Sequence, residues 1–450
     1  MRRAVTPLLA VTVAMVLADS AVVTLALPDI LLHLETTVGQ VAWVLISYNV
    51  VLGVAAVPAA RLLRAASPRV VAAAGVAVFA LASAACAVAG SIELLIGARC
   101  AQALGGAAAL VGCLVLLVAE RGERRGLATW ITAGVAGTAA GPVVGGLLTE
   151  AISWQSIFVV QVPFAALAVP ATLAVRAPTH VAPDRHRPAI RANLTQALLS
   201  AALTAALFPL VLLLVQGWRH SPATAALTVS VVPVAALAAA PLAALFRTPP
   251  HVEVAVGCFL VAGGLAGLAL PPSSHLGWTI APQALVGLGL GLTVDRLTTL
   301  AVEARLPQAV HAGWTIAARH LGVVLGLAIL TPVFTADLAD AEDPAQEAIT
   351  ALVLDAPLQP QTKIEVAQAL GSELTSQHGQ VPDLGRAFDR LEVPASERAA
   401  TDALEQDLTD QLERAATFAF RDSFLLGAAL ALLALLTTFR GRPRSDGSAA

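Results

Sequence analysis

Five ionisable side chains stand inside long apolar stretches of this sequence: Asp19, Arg99, Asp295, Arg296 and Arg319. Glu150 closes another stretch. A charge at the centre of a hydrocarbon layer costs about 2.5–3.5 kcal/mol or more, so such residues face partners, water or transported ions. Asp19 lies about 13 residues into its stretch. A carboxylate there is poised between desolvation, which favours its proton, and a nearby Arg, which favours its charge. It can then trade a proton for another contact. Asp19, tuned by Arg99, is therefore the first candidate for proton coupling; the alternative is a structural ion pair locking the amino-terminal part. Asp295 is the second coupling candidate or a contact for a cationic substrate, the alternative being a structural role for Asp295 and Arg296. Arg296 points about 100° away from it on a helix. For Arg319, structural and substrate-path readings stand side by side. His320 beside it could titrate near neutral pH or simply pack. Gln102, Gln216, Trp43 and Tyr48 complete the substrate-path candidates.

No phosphate-binding loop, metal-spaced cluster or nucleophile–base set accompanies these residues, so catalysis, ATP drive and a bound cofactor are not expected. Cys86, Cys100, Cys113 and Cys258 all fall within apolar runs and read as small buried hydrophobes.

The elements that must position these side chains follow from composition. Of 450 residues, 57% are hydrophobic and 13% charged, with mean hydropathy +0.78. Soluble domains carry about 25% charged residues. This excludes a soluble enzyme, a disordered chain and a nucleic-acid binder. About 20 apolar residues span a bilayer as a helix. Twelve runs meet that length: 6–29, 41–60, 70–90, 92–118, 127–149, 156–175, 194–217, 223–246, 253–271, 278–302, 311–335 and 418–439. They are continuously apolar, which argues against barrel strands. Arg2 and Arg3 before the first run resemble a signal peptide, but the run is about twice a normal h-region and holds Asp19, so an uncleaved helix is expected.

Arginines set the orientation. One set of loops and ends carries Arg2, Arg3, Arg61, Arg64, Arg69, Arg121, Arg124, Arg125, Arg176, Arg185, Arg187, Arg191, Arg247, Arg305, Arg440, Arg442 and Arg444; the opposite short loops carry Arg219 alone. The positive-inside rule then places both termini in the cytoplasm. Lys363 is the only lysine, a coding bias that hints at a GC-rich bacterium and its cytoplasmic membrane. The expected domains are a six-helix bundle over 1–176, a cytoplasmic linker over 177–193, a second bundle over 194–336 and 418–440, an external insert over 337–417 and a tail over 441–450. Segment 337–422 holds 18 of the 30 acidic residues and 6 of the 27 basic ones. Within it, Asp343-Pro344 predicts a helix start near 344–354, with Asp as N-cap and Pro at N1. A second helix is expected over 362–377. From Ser396, Leu404, Leu408 and Leu412 recur every fourth residue toward the last run. The insert reads as an amphipathic cap or an extension of the last helix; a long loop is the alternative.

In the fifth run, Gly137, Gly141 and Gly145 share one helix face and permit close backbone approach. The stretch Gly137 to Leu148, with Gly141-Pro142 and Gly145-Gly146, resembles the gxxxGPxxGGxL antiporter motif of the major facilitator superfamily at every defined position. Leu17 to Pro28, containing Asp19, resembles the first-helix signature of its fourteen-helix drug:proton antiporters. Arg99, Gln102, Gly105 and Ala107 resemble their RxxQGxGAA motif, with Ala103 where Gly is usual. Trp154, Phe158 and Val162-Pro163, Gln216-Gly217 with Pro233 and Pro241, Gly287 to Leu292, and Arg319 to Gly322 with Gly326 extend the likeness over residues 8–335. The chain departs from the family twice. Ala60 to Arg69 lacks the Asp and both glycines of the motif after the second helix, where the family places a charge latch. There are also twelve runs, not fourteen.

The resemblance implies an all-helical membrane fold of two six-helix bundles and a monomeric transporter. Its work would be export of small lipophilic drugs, antibiotics or metabolites in exchange for protons. Its partners would be lipids, protons and substrate, with the proton gradient as energy source. A proton-coupled uptake permease and a non-transporting sensor or scaffold using the acidic insert are the alternatives.

Overall fold

The structure, a computed structural model, describes residues 2–246, 248–303, 305–376, 384–389, 391 and 393–439. The expected tail 441–450, with Arg442 and Arg444, and also Arg247 and Arg440, lie outside the described residues. Among the described residues, twelve helices are long and apolar enough to cross a membrane. They are α1 (Arg2–His33), α2 (Val38–Leu62), α3 (Pro68–Ala87), α4 (Ile92–Arg121), α5 (Glu123–Ala151), α6 (Ser156–Ala174), α7 (Ile190–Gly217), α8 (Pro222–Ala243), α9 (Pro250–Leu268), α10 (Gly277–Val302), α11 (Gln308–Asp355) and, last in the chain, α15 (Arg421–Phe439).

Their ends carry local signals. Thr37 and Gln40 form a capping box at α2, and the Ser91 side chain accepts from Leu94 N at α4, satisfying donors that a helix start leaves unpaired. Gly122 alone joins α4 to α5; its φ of +79° is open to glycine because there is no Cβ to clash. Once each span satisfies its own backbone in lipid, packing decides the rest. Gly75 and Gly105 bring α3 and α4 together: a Cβ at Gly105 would stand 2.6 Å from the Gly75 carbonyl oxygen. Helices α1–α6 enclose one core around Leu52, Phe79 and Leu110; the other six enclose a second around Leu210, Cys258 and Phe424.

The insert is helical, but not as the sequence divides it. No new helix starts at Asp343-Pro344; α11 runs unbroken for 48 residues from Gln308 to Asp355. Pro344 removes one backbone donor, while Ala-rich flanks and the packing of Ile349 and Val353 below hold the turns on either side. The helix expected over 362–377 is α12 (Pro360–Ser376); a short α13 (Leu384–Asp389) and α14 (Arg398–Ala419) follow. Leu404 and Leu408 of α14 are buried with Ile349, Val353, Val366, Leu370 and Phe388 in a core of the insert's own, and Leu412 packs against it. Phe420 alone separates α14 from α15, and its ring meets Phe334 of α11 at 4.7 Å between centroids. The insert thus leads through α14 into the last span and packs a core of its own.

Candidate functional site: a buried ion pair beside a chamber between the bundles

Asp19 and Arg99 meet inside the first bundle, both fully buried. Arg99 Nη1 donates to Asp19 Oδ2, to Gln102 Oε1 at 2.6 Å, and Nε donates to the Val44 carbonyl at 3.3 Å. Asp19 Oδ1 accepts from Gln102 Nε2 at 3.2 Å and from Gln161 Nε2 at 2.8 Å. Ser83 completes the cluster, 2.8 Å from Gln102 Nε2. Tyr48 lies under the guanidinium, 4.0 Å from ring centroid to Cζ, and its hydroxyl donates to the Val16 carbonyl at 2.9 Å. Five helices therefore hold one carboxylate. A buried pair is tolerable only when its remaining polar atoms are hydrogen-bonded, and the two glutamines do that for Asp19. Gln161 and Ser83 were not singled out from the sequence; a lone amide in the sixth apolar run was the available signal for Gln161.

Ser20, next to Asp19, turns toward the other bundle. Its Oγ donates to Asn49 Oδ1 at 3.2 Å, and His320 Nδ1 of α11 donates to the same oxygen at 2.7 Å. This contact crosses between the bundles and borders a central chamber. The chamber has two lobes, of about 340 Å³ and about 100 Å³, and both are lined by Thr138, Leu203, Leu207 and Arg319. Ser20, Asn49 and His320 line the smaller lobe. Pro142 and Asp295 line the larger.

The remaining expected residues fall in different places. Arg319 reaches the chamber. Gln102 and Tyr48 belong to the buried cluster and line neither lobe. Trp43 is 54% exposed, because its position on α2 turns it out of the bundle. Gln216 sits half-buried on a π-helical turn, Leu213–Gly217, that ends α7; neither lobe includes it. Asp295 is exposed at the larger lobe, and its neighbour Arg296 pairs with Glu253 of α9 instead, Nε to Oε2 2.5 Å. Glu253 stands at the very edge of its apolar run, where a charge gives no signal of an intramembrane partner.

The motif glycines are contacts, and they point two ways. A Cβ at Gly137 would lie 2.0 Å from the Ala14 carbonyl oxygen, and at Gly145 2.4 Å from that of Val22, so α5 backs directly onto α1; Gly141 meets Ala18 and Ala21 on the same face. Gly146 faces the other bundle instead, with a Cβ only 2.3 Å from that of Ala226 on α8. Nearby, Glu150 Oε2 accepts from Ala223 N at 2.5 Å, a carboxylate set on the positive end of α8.

At the opposite end of the bundles, the segment after α2 meets the linker. Arg64 pairs with Asp184, and Val181 N donates to the Leu63 carbonyl at 2.9 Å. The next residues clasp the second bundle: Arg185 N donates to the Leu306 carbonyl at 3.1 Å, and Arg305 Nη1 to the Arg187 carbonyl at 2.9 Å. Gln308 Nε2 donates to Glu123 Oε1 at 2.9 Å, directly between bundles.

This arrangement has known counterparts. Over the whole chain the fold is similar to a bacterial homologue of the human lysosomal transporter Spinster, in an inward-facing, unoccupied conformation (TM-score 0.58, 15% identity, 99% of each chain). It is also similar to a POT family transporter in complex with a thioalcohol-conjugated peptide (TM-score 0.60, 11% identity, 74% of this chain and 91% of that one). Among curated proteins, 163 residues are 37% identical to the multidrug resistance protein Stp of Mycobacterium tuberculosis, covering 35% of this chain and 30% of that one. The tetracenomycin C resistance and export protein of Streptomyces glaucescens is 36% identical over 169 residues, 37% of this chain and 31% of that one. The methylenomycin A resistance protein of Streptomyces coelicolor is 32% identical over 224 residues, 49% and 46%. The chain thus spans under half the length of these relatives. Residues 9–330 match the family model described as Major Facilitator Superfamily. Twelve candidate spans among the described residues, in two bundles around a chamber, and a family match over most of its length place this chain in the major facilitator superfamily.

Proposed function

We propose that the protein exports small lipophilic compounds from the cytoplasm in exchange for protons, by alternating access of the chamber between its bundles. Both termini and the linker then face the cytoplasm, as the arginine bias requires, and the insert lies outside. The observation that carries the reading is the Asp19–Arg99 pair, buried beside the chamber and linked to it through Ser20, Asn49 and His320. Protonation of Asp19 removes the charge that Arg99 and the two glutamines satisfy. That frees Arg99 and loosens α1 against α4, next to the residues that touch α11. A proton bound preferentially in one arrangement of the bundles thereby biases the other. Each proton supplies about 2.3 kcal/mol per 100 mV of membrane potential, and about 1.4 kcal/mol is a factor of ten in concentration. The drug-resistance and export names of the relatives support the direction of transport.

The test uses the full chain in sealed proteoliposomes. An imposed pH gradient is expected to drive an amphiphilic anionic dye such as 1-anilinonaphthalene-8-sulfonate against its own gradient, and an uncoupler to abolish this. Asp19→Asn should lose pH-driven accumulation yet still exchange dye down its gradient. Accumulation undiminished in Asp19→Asn removes Asp19 from the coupling, and no pH-driven movement by the wild-type protein overturns the reading.

A further inference from the structure

Arg319 is a charged side chain that the chamber does not satisfy, and Asp295 of the larger lobe is another. It lines both lobes, together with Thr138, Leu203 and Leu207. Among the described residues it makes no hydrogen bond and no ion pair, in contrast to Arg99 and Arg296, each of which has a carboxylate partner. None of the hydroxyls or amides that line the chamber with it accepts a hydrogen bond from it; their own bonds run elsewhere. Thr138 Oγ1 donates to the Gly134 carbonyl at 3.0 Å, Thr204 Oγ1 to that of Ser200 at 2.9 Å, and Ser20 and His320 to Asn49. Asp295 borders only the larger lobe, where it is exposed, and it does not reach the guanidinium within ion-pair distance. A guanidinium keeps its charge in a protein and offers five donors in a planar fork. Held in oil without a partner it is costly.

We infer that Arg319 is the binding site for an anionic group of the substrate, and that the chamber selects compounds with a carboxylate on a compact apolar body. The fork accepts a carboxylate through two parallel hydrogen bonds. Leu203 and Leu207 receive the apolar part in either lobe, and the larger lobe adds Val135, Pro142 and Leu290. The inference rests on the transporter reading above, but it concerns recognition and is tested by binding alone.

The experiment measures equilibrium binding of tritiated 2-naphthoate to the full-length protein in lipid nanodiscs, by scintillation proximity, with 2-naphthamide and 2-naphthylmethylammonium as competitors. The three share one apolar body and differ in charge. Wild-type protein is expected to bind the carboxylate at least about tenfold more tightly than the amide, the range of a charge-assisted hydrogen bond. R319Q should collapse that ratio to near one, and R319K should keep part of it; thermal unfolding of each variant reports folding. If R319Q does not fold, the wild-type ratio and its retention in R319K decide. Carboxylate bound no better than amide, including no binding of any probe, overturns the inference. So does a preference for the ammonium compound, which would assign recognition to Asp295, or a ratio unchanged in folded R319Q. Arg319-dependent selectivity without pH-driven flux would sink the proposed function and leave the anion site standing. Pumping of dye without this selectivity would do the reverse.

Discussion

Asn49 of α2 and His320 of α11 are hydrogen-bonded across the plane between the two bundles, Nδ1 to Oδ1 2.7 Å, and the same Asn49 oxygen accepts from Ser20, the neighbour of Asp19. Asn49, which touches the second bundle, is therefore one hydrogen bond from Ser20, the chain neighbour of the carboxylate proposed to read the proton. His320→Ala removes a hydrogen bond worth about 0.5–1.5 kcal/mol, so the arrangement with this contact made should lose about two- to tenfold in population. A cysteine at the chamber residue Thr24 should then react faster with a maleimide than in the otherwise unaltered protein. An unchanged rate would show that this contact does not help hold the bundles together.

The Asp19–Arg99 pair should behave as a unit. Removing one partner of a buried pair leaves an uncompensated charge, at a cost of about 3–5 kcal/mol. Arg99→Gln alone should therefore lower the unfolding temperature in nanodiscs strongly. Adding Asp19→Asn to it should recover part of the loss, since both charges are then gone. A double variant as unstable as the sum of the single ones would mean the two side chains are not coupled.

The glycines on α5 predict a division of labour. Gly137 lies against the backbone of Ala14, inside one bundle. Gly137→Ala should cost about 1–3 kcal/mol of stability by overpacking, visible as a lower unfolding temperature. Gly146 lies against Ala226 and Pro222 of the other bundle. Gly146→Ala should leave stability nearly unchanged while parting α5 from α8, lowering the cross-linking of cysteines introduced at Glu150 and Ala223. Equal melting effects for the two variants would contradict this division.

The linker clasp makes a salt-dependent prediction. Arg64 and Asp184 are each about one-third exposed, so their pair is worth about 0.2–1 kcal/mol and weakens as salt screens it. Asp184→Asn should broaden the distance between labels at Glu120 and Glu303, one on each bundle, as seen by single-molecule energy transfer. High salt should broaden the wild-type distribution in the same way and leave the variant little changed. A variant as narrow as wild type at low salt would show that the clasp depends on the backbone contacts of Val181 and Arg185 alone.

Much of this protein was legible in its residues one at a time. A membrane span is a local sum of side-chain hydropathy, so twelve runs could be counted without knowing how they meet, and Gly137, Gly141 and Gly145 declared a packing face because four residues is nearly one helical turn. The resemblance to the family rested on equally local strings. Even Asp19 and Arg99 were paired in expectation, because isolated charges in oil require a partner. Tertiary structure alone decided the rest, since rotation of a helix about its axis is set by its neighbours and not by its own composition. That rotation brings Gln161 and Ser83 to Asp19, turns Trp43 outward, gives Arg296 to Glu253 across two helices and supplies Asp184 to Arg64 from a linker more than a hundred residues downstream. It also carries α11 straight through Pro344, where local rules place a helix start, because the insert packs its own core beyond that point. And it leaves Arg319 facing the chamber without an ion-pair partner among the described residues, a circumstance no single stretch of sequence could reveal.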